Sequence, residues 1–173
     1  PIVHPHRSRD REQRLFRKAG HAIAQPTRAA VAVALARLQR FPSAPAAAIV
    51  LEELWELGAR LVVRAGTMMA LNATMGDFVL AQGAVRFDGV STTYLPLEFP
   101  ALADADLFFS FKQVLEQADV PYRAGLVASS DGFYTELFHH GVPGREPHRE
   151  DVTIVDYLKQ HRVLAVDMET SAI

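Results

Sequence analysis

Apolar positions recur at regular spacing along most of the chain and alternate with charged ones. Residues 45–57 predict a first helix that ends at Gly58, because apolar side chains fall on one face and glutamates on the other. The same spacing predicts a second helix from Leu107 to Ala118 and a third within residues 145–161. The buried face of the first helix is expected to comprise Val50, Leu51, Leu54 and Leu57.

Short runs rich in apolar residues lie between these helices and predict strands. They occupy residues 61–63, 77–85, 123–130 and 163–166. The first run is continuously apolar, which is typical of a strand covered on both faces. Because helices separate the strands, at least part of the sheet is expected to be parallel, and the pattern predicts an α/β fold.

Residues 1–44 do not fit this alternation, although the alanine-rich stretch at 29–38 favours a helix. Residues 1–45 hold nine Lys or Arg and two acidic residues, whereas the rest of the chain holds nine and eighteen. A basic arm can bind nucleic acid through phosphate contacts, but no aromatic residues alternate with these arginines as stacking platforms would. We therefore expect a solvated leader and no nucleic-acid partner.

The composition narrows the class of protein. The chain has 173 residues, of which 49% are hydrophobic, and this suits one domain with a single core. It contains no cysteine, so it has neither disulfides nor thiolate metal sites, and we expect a cytoplasmic location. No apolar run is long enough to cross a bilayer, so we expect no membrane association. Adjacent His139 and His140 have no acidic partner at metal-binding spacing, and we predict no metal site.

Polar side chains follow three of the predicted strands. In open α/β sheets, ligands usually bind beyond the carboxyl ends of the strands, so these groups are expected to form one pocket. The first group is Arg64, Gly66 and Thr67; the second is Ser129, Ser130 and Asp131 with Phe133 and Tyr134; the third is Asp167, Met168 and Glu169.

Each group suits a different part of a ligand. The Arg64 guanidinium offers paired donors to an oxyanion, Gly66 permits close backbone approach and Thr67 adds a hydroxyl, a combination that favours phosphate. Phe133 offers an apolar face to a heteroaromatic base, and Glu169 can accept hydrogen bonds from sugar hydroxyls. Taken singly, each residue also has a structural interpretation, as an ion-pair, core or helix-terminal residue. Because the three groups are expected to meet at one edge of the sheet, their joint placement favours a ligand-binding site.

Four stretches resemble the nucleoside phosphorylases of the uridine and hexameric purine type. They are "AAAIVLEELWELGARLVVRAGT", "GDFVLAQGAVRFDGVSTTYLPLEFPALAD", "GLVASSDGFY" and "VLAVDMETSAI", and together they cover most of residues 45–173. Residues 86–104 resemble uridine phosphorylases most closely. The resemblance implies a three-layer αβα fold with a mixed, largely parallel central sheet. It also implies reversible phosphorolysis of a nucleoside, here uridine or a related pyrimidine nucleoside, to a free base and ribose 1-phosphate.

The resemblance also implies roles for individual residues. Arg64 would be the catalytic cation and would hold phosphate with Gly66 and Thr67, while Phe133 would lie against the base. The ribose would be held by Asp167, Met168 and Glu169. Inorganic phosphate would be the co-substrate, with no other cofactor. A homo-oligomer built from dimers is implied as well.

The chain departs from the family pattern in several places. Asp167 stands where the family commonly has Glu, and Met69 replaces an expected glycine. The family's Gly-Asp-Pro-x-Arg phosphate loop is not found near the start, and no Gln and Arg pair that would read uracil is evident after Tyr134. We therefore divide the chain into a basic segment at 1–44, not homologous to the family's N-terminus, and a phosphorylase-like domain at 45–173 that lacks the family's C-terminal portion.

Three alternatives stay open at the level of sequence. One is a purine nucleoside phosphorylase, and another is a nucleosidase of the same fold, in which water replaces phosphate. Arg64 argues against the nucleosidase, because a hydrolase does not need that cation beside the anomeric carbon. The last is a catalytically inactive relative that acts only as a binding or assembly module.

Overall fold

The computed structural model describes the backbone of residues 33–34, and residues 43–134, 137 and 153–173 in full. The strands are β1 (Val33–Ala34), β2 (Leu61–Val62), β3 (Met69–Ala70), β4 (Phe78–Phe87), β5 (Ala101–Leu102), β6 (Tyr122–Ser130) and β7 (Ala165–Asp167). The helices are α1 (Ala44–Glu56), α2 (Ser91–Tyr94), α3 (Ala105–Gln117) and α4 (Ile154–Gln160), and a 3₁₀ turn follows at Thr170–Ala172.

Five strands form the central sheet in the order β3, β7, β6, β4, β5. The inner pairs, β7 with β6 and β6 with β4, are parallel, whereas the short edge strands β3 and β5 run antiparallel to their neighbours. The predicted α/β fold with a mixed sheet that is parallel in its centre is confirmed. The long pair β4 and β6 brings its carboxyl ends together beside β7, and this edge of the sheet carries the site.

A bulge at Gln82 keeps one face of the sheet apolar along its whole length. Leu80 pairs with Ala124 before the bulge and Val85 pairs with Ala128 after it, so their side chains point to the same face. Helix α3 packs on the amino-terminal half of this face and α4 on the carboxyl-terminal half. The buried residues are Val114, Leu115 and Val120 in the cluster formed by α3, and Ala128, Leu137, Val155, Leu158, Val163 and Val166 in the cluster formed by α4.

Helix α1 forms where the sequence predicts it, and its glutamates are exposed as expected, but Leu57 does not belong to the buried face. Leu57 is 84% exposed, Val50, Leu51 and Leu54 are half-buried, and the buried side chains are Ala44, Ala47 and Ala48. The helix also contacts the 3₁₀ turn. The Ser43 hydroxyl accepts from the N–H of Ala46 at the start of the helix.

Strand β2 differs from its prediction in its partner and its burial. It pairs in parallel with β1, apart from the five-stranded sheet, and its side chains are half-buried. The helix favoured at 29–38 is therefore wrong at Val33–Ala34, because pairing with a neighbouring segment overrides the helix propensity of alanine.

The remaining elements largely follow the sequence. Helix α3 and strands β4 and β6 lie within two residues of their predicted bounds, and Asp104 caps α3 by accepting from the N–H of Leu107. Helix α4 is described from Ile154, while residues 145–152 and the histidine pair at 139–140 lie outside the described residues. Within the described part of the chain, no helix is long and apolar enough to span a membrane.

Candidate active site

Buried polar side chains collect where β4, β6 and β7 end. In the part of the chain that the structure describes, all the buried polar or charged residues lie at this edge of the sheet or just after it. They are Asp88, Ser91, Ser129, Ser130, Asp167, Glu169 and Ser171. Since burial of polar groups is costly unless they are hydrogen-bonded, such a concentration marks a site with a specific arrangement.

Arg64, which follows β2, brings together the first and third groups predicted from the sequence. Its Nη1 donates to Asp167 Oδ2 at 2.5 Å and lies 3.4 Å from the Thr170 hydroxyl, and its Nη2 donates to Glu169 Oε2. The Arg64 side chain is 16% exposed, whereas both carboxylates are almost fully buried. The guanidinium therefore bridges two carboxylates at the edge of solvent.

Asp167 has the most hydrogen bonds in this cluster. Its Oδ1 accepts from the Ser129 hydroxyl at 2.9 Å and from the N–H groups of Thr170 at 3.1 Å and Glu169 at 3.2 Å. Its Oδ2 accepts from Arg64 and from the Thr170 hydroxyl, both at 2.5 Å. Five donors around one carboxylate fix its orientation, and they fix the position of the arginine as well.

Glu169 is held less firmly and has a perturbed protonation equilibrium. Burial raises the pKa of its carboxyl, the Arg64 guanidinium lowers it, and the nearby Asp167 carboxylate raises it again. The net result is a pKa above the usual range for glutamate. The cluster holds one permanent cation and two carboxylates, and Glu169 accepts a proton more readily than an ordinary glutamate does.

Gly66 makes room for the Arg64 side chain. A Cβ atom at this position would lie 2.9 Å from Arg64 Nη2 and 3.1 Å from its Cζ. Thr67 is exposed beside it, and both residues line an open groove of about 2140 Å³ together with Arg64. The 3₁₀ turn and the residues of β4 line other parts of the same groove.

The residues predicted to contact the base and the ribose lie in different surroundings. Phe133 is half-buried, packs against the apolar cluster under α4 and contacts the Tyr134 ring at a centroid distance of 5.6 Å. Met168 is half-buried between Asp167 and Glu169. The structure thus joins Arg64, Asp167 and Glu169. The contact of Phe133 with a base stays a prediction.

Sequence reasoning missed two residues of this edge. Arg86 ends β4 and donates to the Ser91 hydroxyl and to backbone carbonyls between Ser91 and Phe99 at 2.6 to 2.7 Å. Asp88 accepts from the Ser91 and Ser171 hydroxyls. A signal was present, because "GAVRFDG" places a cation in an apolar strand just as "LVVRAGT" does.

A metal centre is not indicated by the described residues, which contain no group of three or more His, Cys, Asp or Glu able to hold an ion. The Arg64 guanidinium occupies the space between the two carboxylates that a cation would need.

Comparison with known proteins identifies the family. The uridine phosphorylase of Thermococcus kodakarensis is 34% identical over 131 residues, which cover 75% of this chain and 47% of that protein. The uridine phosphorylase of Treponema pallidum is 39% identical over 101 residues, covering 57% and 39%. The purine nucleoside phosphorylase of Plasmodium vivax is 35% identical over 129 residues, covering 73% and 48%. The chain spans about half the length of the curated relatives it matches. Residues 18–173 match the sequence pattern of the Phosphorylase superfamily, and the chain belongs to that family.

Proposed function

We propose that this protein catalyses the reversible phosphorolysis of a nucleoside to a free base and ribose 1-phosphate. A phosphate oxygen attacks the anomeric carbon, the bond from that carbon to the base nitrogen breaks, and the base leaves with the bonding electron pair. Family membership supports this reaction, since the relatives are named as uridine and purine nucleoside phosphorylases. Uridine or a related pyrimidine nucleoside is the proposed substrate, on the resemblance of residues 86–104 to uridine phosphorylases.

The observation that carries the proposal is the position of the Arg64 guanidinium. It lies at the edge of the groove, with Gly66 and Thr67 beside it, and its side chain keeps contact with solvent. A transition state with oxocarbenium character is stabilised by a phosphate dianion placed next to the sugar. A cation that positions this dianion therefore contributes directly to the rate.

The pairing of Arg64 with Glu169 suggests how the two substrates enter. We propose that Arg64, Gly66 and Thr67 hold phosphate, that Asp167, Met168 and Glu169 hold the ribose, and that Phe133 contacts the base. A ribose hydroxyl that donates to Glu169 would replace the bond from Arg64 Nη2, which frees one edge of the guanidinium for phosphate. Binding of the sugar would then favour binding of phosphate.

A second candidate is supported by the relative from Plasmodium vivax, which is named for purine nucleosides and is about as similar to this chain as the uridine phosphorylases are. Purine nucleosides therefore belong in the same assay. Its results also test the nucleosidase and inactive-relative alternatives.

Further proposals concern the co-substrate and the assembly. Inorganic phosphate is the proposed co-substrate, without a further cofactor, and a homo-oligomer is the proposed assembly. A cytoplasmic location and the absence of a nucleic-acid partner stay predictions. The division of the chain at residue 45 also stays a prediction, as does the lack of homology between residues 1–44 and the family's N-terminus.

The experiment is base release from uridine, thymidine, inosine and adenosine, with and without phosphate. We expect phosphate-dependent release, fastest with a pyrimidine nucleoside. Arg64→Ala should lower kcat/KM for phosphate by about a hundredfold or more and leave nucleoside binding largely intact. Arg123→Ala is the matched control, because Arg123 pairs with Asp77 on the surface at the other end of the sheet.

Each alternative has its own result in this assay. Release that does not need phosphate indicates a nucleosidase. Nucleoside binding without turnover indicates an inactive relative, and faster turnover of inosine or adenosine indicates a purine enzyme. Equal losses of phosphate use and nucleoside binding in Arg64→Ala would mean that Arg64 only stabilises the fold.

A further inference from the structure

A continuous chain of buried hydrogen bonds links the end of β4 to the Arg64 cluster. The Ser171 hydroxyl donates to Asp88 Oδ2, and the Ser171 N–H donates to the Ser129 hydroxyl at 2.9 Å. The Ser129 hydroxyl in turn donates to Asp167 Oδ1 at 2.9 Å. Asp88 is thus connected to the carboxylate that holds Arg64 through two serines.

Asp88 accepts from four donors. Its Oδ1 accepts from the N–H groups of Val90 at 2.9 Å and Ser91 at 2.6 Å, and its Oδ2 accepts from the hydroxyls of Ser91 and Ser171. Burial raises the pKa of Asp88, but the hydrogen bonds from Ser171, Ser91 and Val90 outweigh burial and hold the pKa below its usual range. Asp88 is therefore an ionised carboxylate that only accepts.

The direction of each bond in the chain follows from the two carboxylates at its ends, Asp88 and Asp167, and from the Ser171 N–H, which can only donate. A serine hydroxyl has a single proton. Ser171 gives its proton to Asp88, and Ser129 gives its own to Asp167, so the Ser129 oxygen is the acceptor for the Ser171 N–H. Loss of the carboxylate at residue 88 would remove one of the hydrogen bonds that anchor the 3₁₀ turn.

The 3₁₀ turn carries groups that touch the Arg64 cluster. The Thr170 hydroxyl donates to Asp167 Oδ2 and lies near Arg64 Nη1, and Thr170 and Ser171 line the groove. Asp88 lies behind them and is not among the described residues that line it. A movement of the turn would therefore reach Arg64 without any direct contact from Asp88.

We propose that Asp88 is a positioning residue, which acts through Ser171, Ser129 and the 3₁₀ turn to hold Asp167 and Arg64 in the arrangement that binds phosphate. The catalytic consequence rests on the proposed phosphorolysis. The structural consequence, a fixed Arg64 guanidinium, does not depend on which reaction the protein catalyses.

The test is a double-mutant cycle of Asp88→Asn and Arg64→Ala, measured as kcat/KM for phosphate. Asp88→Asn keeps the size of the side chain and should lower this ratio roughly tenfold to a hundredfold, because small displacements of a binding group are costly. In the Arg64→Ala background the same change should have little further effect, since the two residues act on one interaction. Multiplicative losses in the two backgrounds would mean that Asp88 only stabilises the fold, and would overturn the proposal.

Two further variants complete the design. Ser171→Ala removes the hydrogen bond from the Ser171 hydroxyl to Asp88 and leaves the charge of Asp88 in place. It should therefore reproduce the loss of kcat/KM for phosphate expected of Asp88→Asn. It also replaces Asp88→Asn in the test if that variant does not fold. Asp156→Asn is the matched control, because Asp156 also accepts from a hydroxyl three residues away, that of Thr153, but lies exposed on α4. It should have the activity of the unmodified protein.

An NMR measurement separates this proposal from the proposed function. A guanidinium held by two carboxylates rotates slowly, so the Nη protons of Arg64 should give separate signals that merge or broaden in Asp88→Asn and Ser171→Ala. If no nucleoside is cleaved in the presence of phosphate, the proposed function fails, and these signals alone decide the positioning role. Unchanged Arg64 signals in both variants would overturn it.

Discussion

Arg64, Asp167 and Glu169 form a cluster in which one cation serves two carboxylates, and the two carboxylates are not equivalent. Asp167 accepts from five donors, whereas Glu169 accepts from Arg64 Nη2 and from the backbone of Met168. The raised pKa of Glu169 reflects this difference, since burial and Asp167 act against its ionisation. Glu169 is therefore the member of the cluster that can most easily exchange its partner for a ligand.

The raised pKa of Glu169 predicts how stability depends on pH. A carboxyl that is harder to ionise in the folded state binds its proton more tightly there than in the unfolded chain. Its contribution to stability is complete below the ordinary glutamate range, about pH 4.3, and is lost as pH rises toward the folded-state pKa. As pH rises through this range, the free energy of unfolding of Glu169→Gln should increase relative to that of the unmodified protein. Urea unfolding between acid and neutral pH measures this difference.

The control for this experiment is Glu53→Gln, on the exposed side of α1. Its stability relative to the unmodified protein should not change with pH. A difference between Glu169→Gln and the unmodified protein that stays constant across the same range would show that the Glu169 carboxyl is not harder to ionise in the folded state.

Gly66 permits the close approach of the Arg64 side chain, and this gives a second prediction. In Gly66→Ala the new methyl group would lie 2.9 Å from Arg64 Nη2, so the Arg64 side chain must move from its position between the two carboxylates. We expect a roughly tenfold rise in KM for phosphate and a loss of less than about 1 kcal/mol in unfolding free energy. Gly89→Ala is the control, because its Cβ would make only an ordinary contact of 3.6 Å with Asp131. Equal KM values for the two variants would contradict this role of Gly66.

The residues of the site differ in how far the sequence could predict them. Arg64, Gly66, Asp167 and Glu169 lie at or shortly after the ends of strands, and the rule that ligands bind beyond the carboxyl ends of strands is enough to predict that they lie together. The link between Asp88 and Ser171 joins residues 83 positions apart, and no local pattern encodes such a hydrogen bond. Sequence reasoning finds groups at strand ends, but it does not find which of them anchor the others.

At the scale of elements, the ends of α1 were easier to predict than its buried face. Gly58 follows the helix as predicted and has a φ of +95°, a conformation that favours glycine. The buried face depends on what packs against it, and the most buried side chains are the small Ala44, Ala47 and Ala48, while Leu57 is exposed. Helix ends are set by local chemistry, whereas burial is set by tertiary contacts.

The positive φ at Gly58 gives a prediction about backbone strain alone. A Cβ atom there would have no neighbour within 4 Å, so any loss of stability in Gly58→Ala comes from the backbone conformation. We expect a loss of about 1 to 2 kcal/mol in the free energy of unfolding. Gly58→Asn should lose less, because asparagine adopts this conformation more readily. If both variants were as stable as the unmodified protein, Gly58 would not be needed to end the helix.

At the scale of the whole molecule, one surface segment is both apolar and firmly held. Residues 94–102 expose five large apolar side chains, namely Tyr94, Leu95, Leu97, Phe99 and Leu102. Arg86 fixes this segment through the carbonyls of Ser91, Leu95, Pro96 and Phe99. Monomeric proteins rarely expose contiguous apolar patches of this kind, so a rigid one is typical of an interface. This agrees with the homo-oligomer proposed above, in which the partner is a second copy of the chain.

The assembly can be tested at this segment. We expect light scattering to give a mass above that of one chain across a range of concentrations. In Leu97→Glu, where the side chain is 63% exposed, a buried charge at the interface should shift the protein toward the monomer. Met75→Glu is the control, since Met75 is 96% exposed in a different loop, and it should keep the mass of the unmodified protein. A monomeric unmodified protein, or an unchanged mass in Leu97→Glu, would show that residues 94–102 do not join two copies.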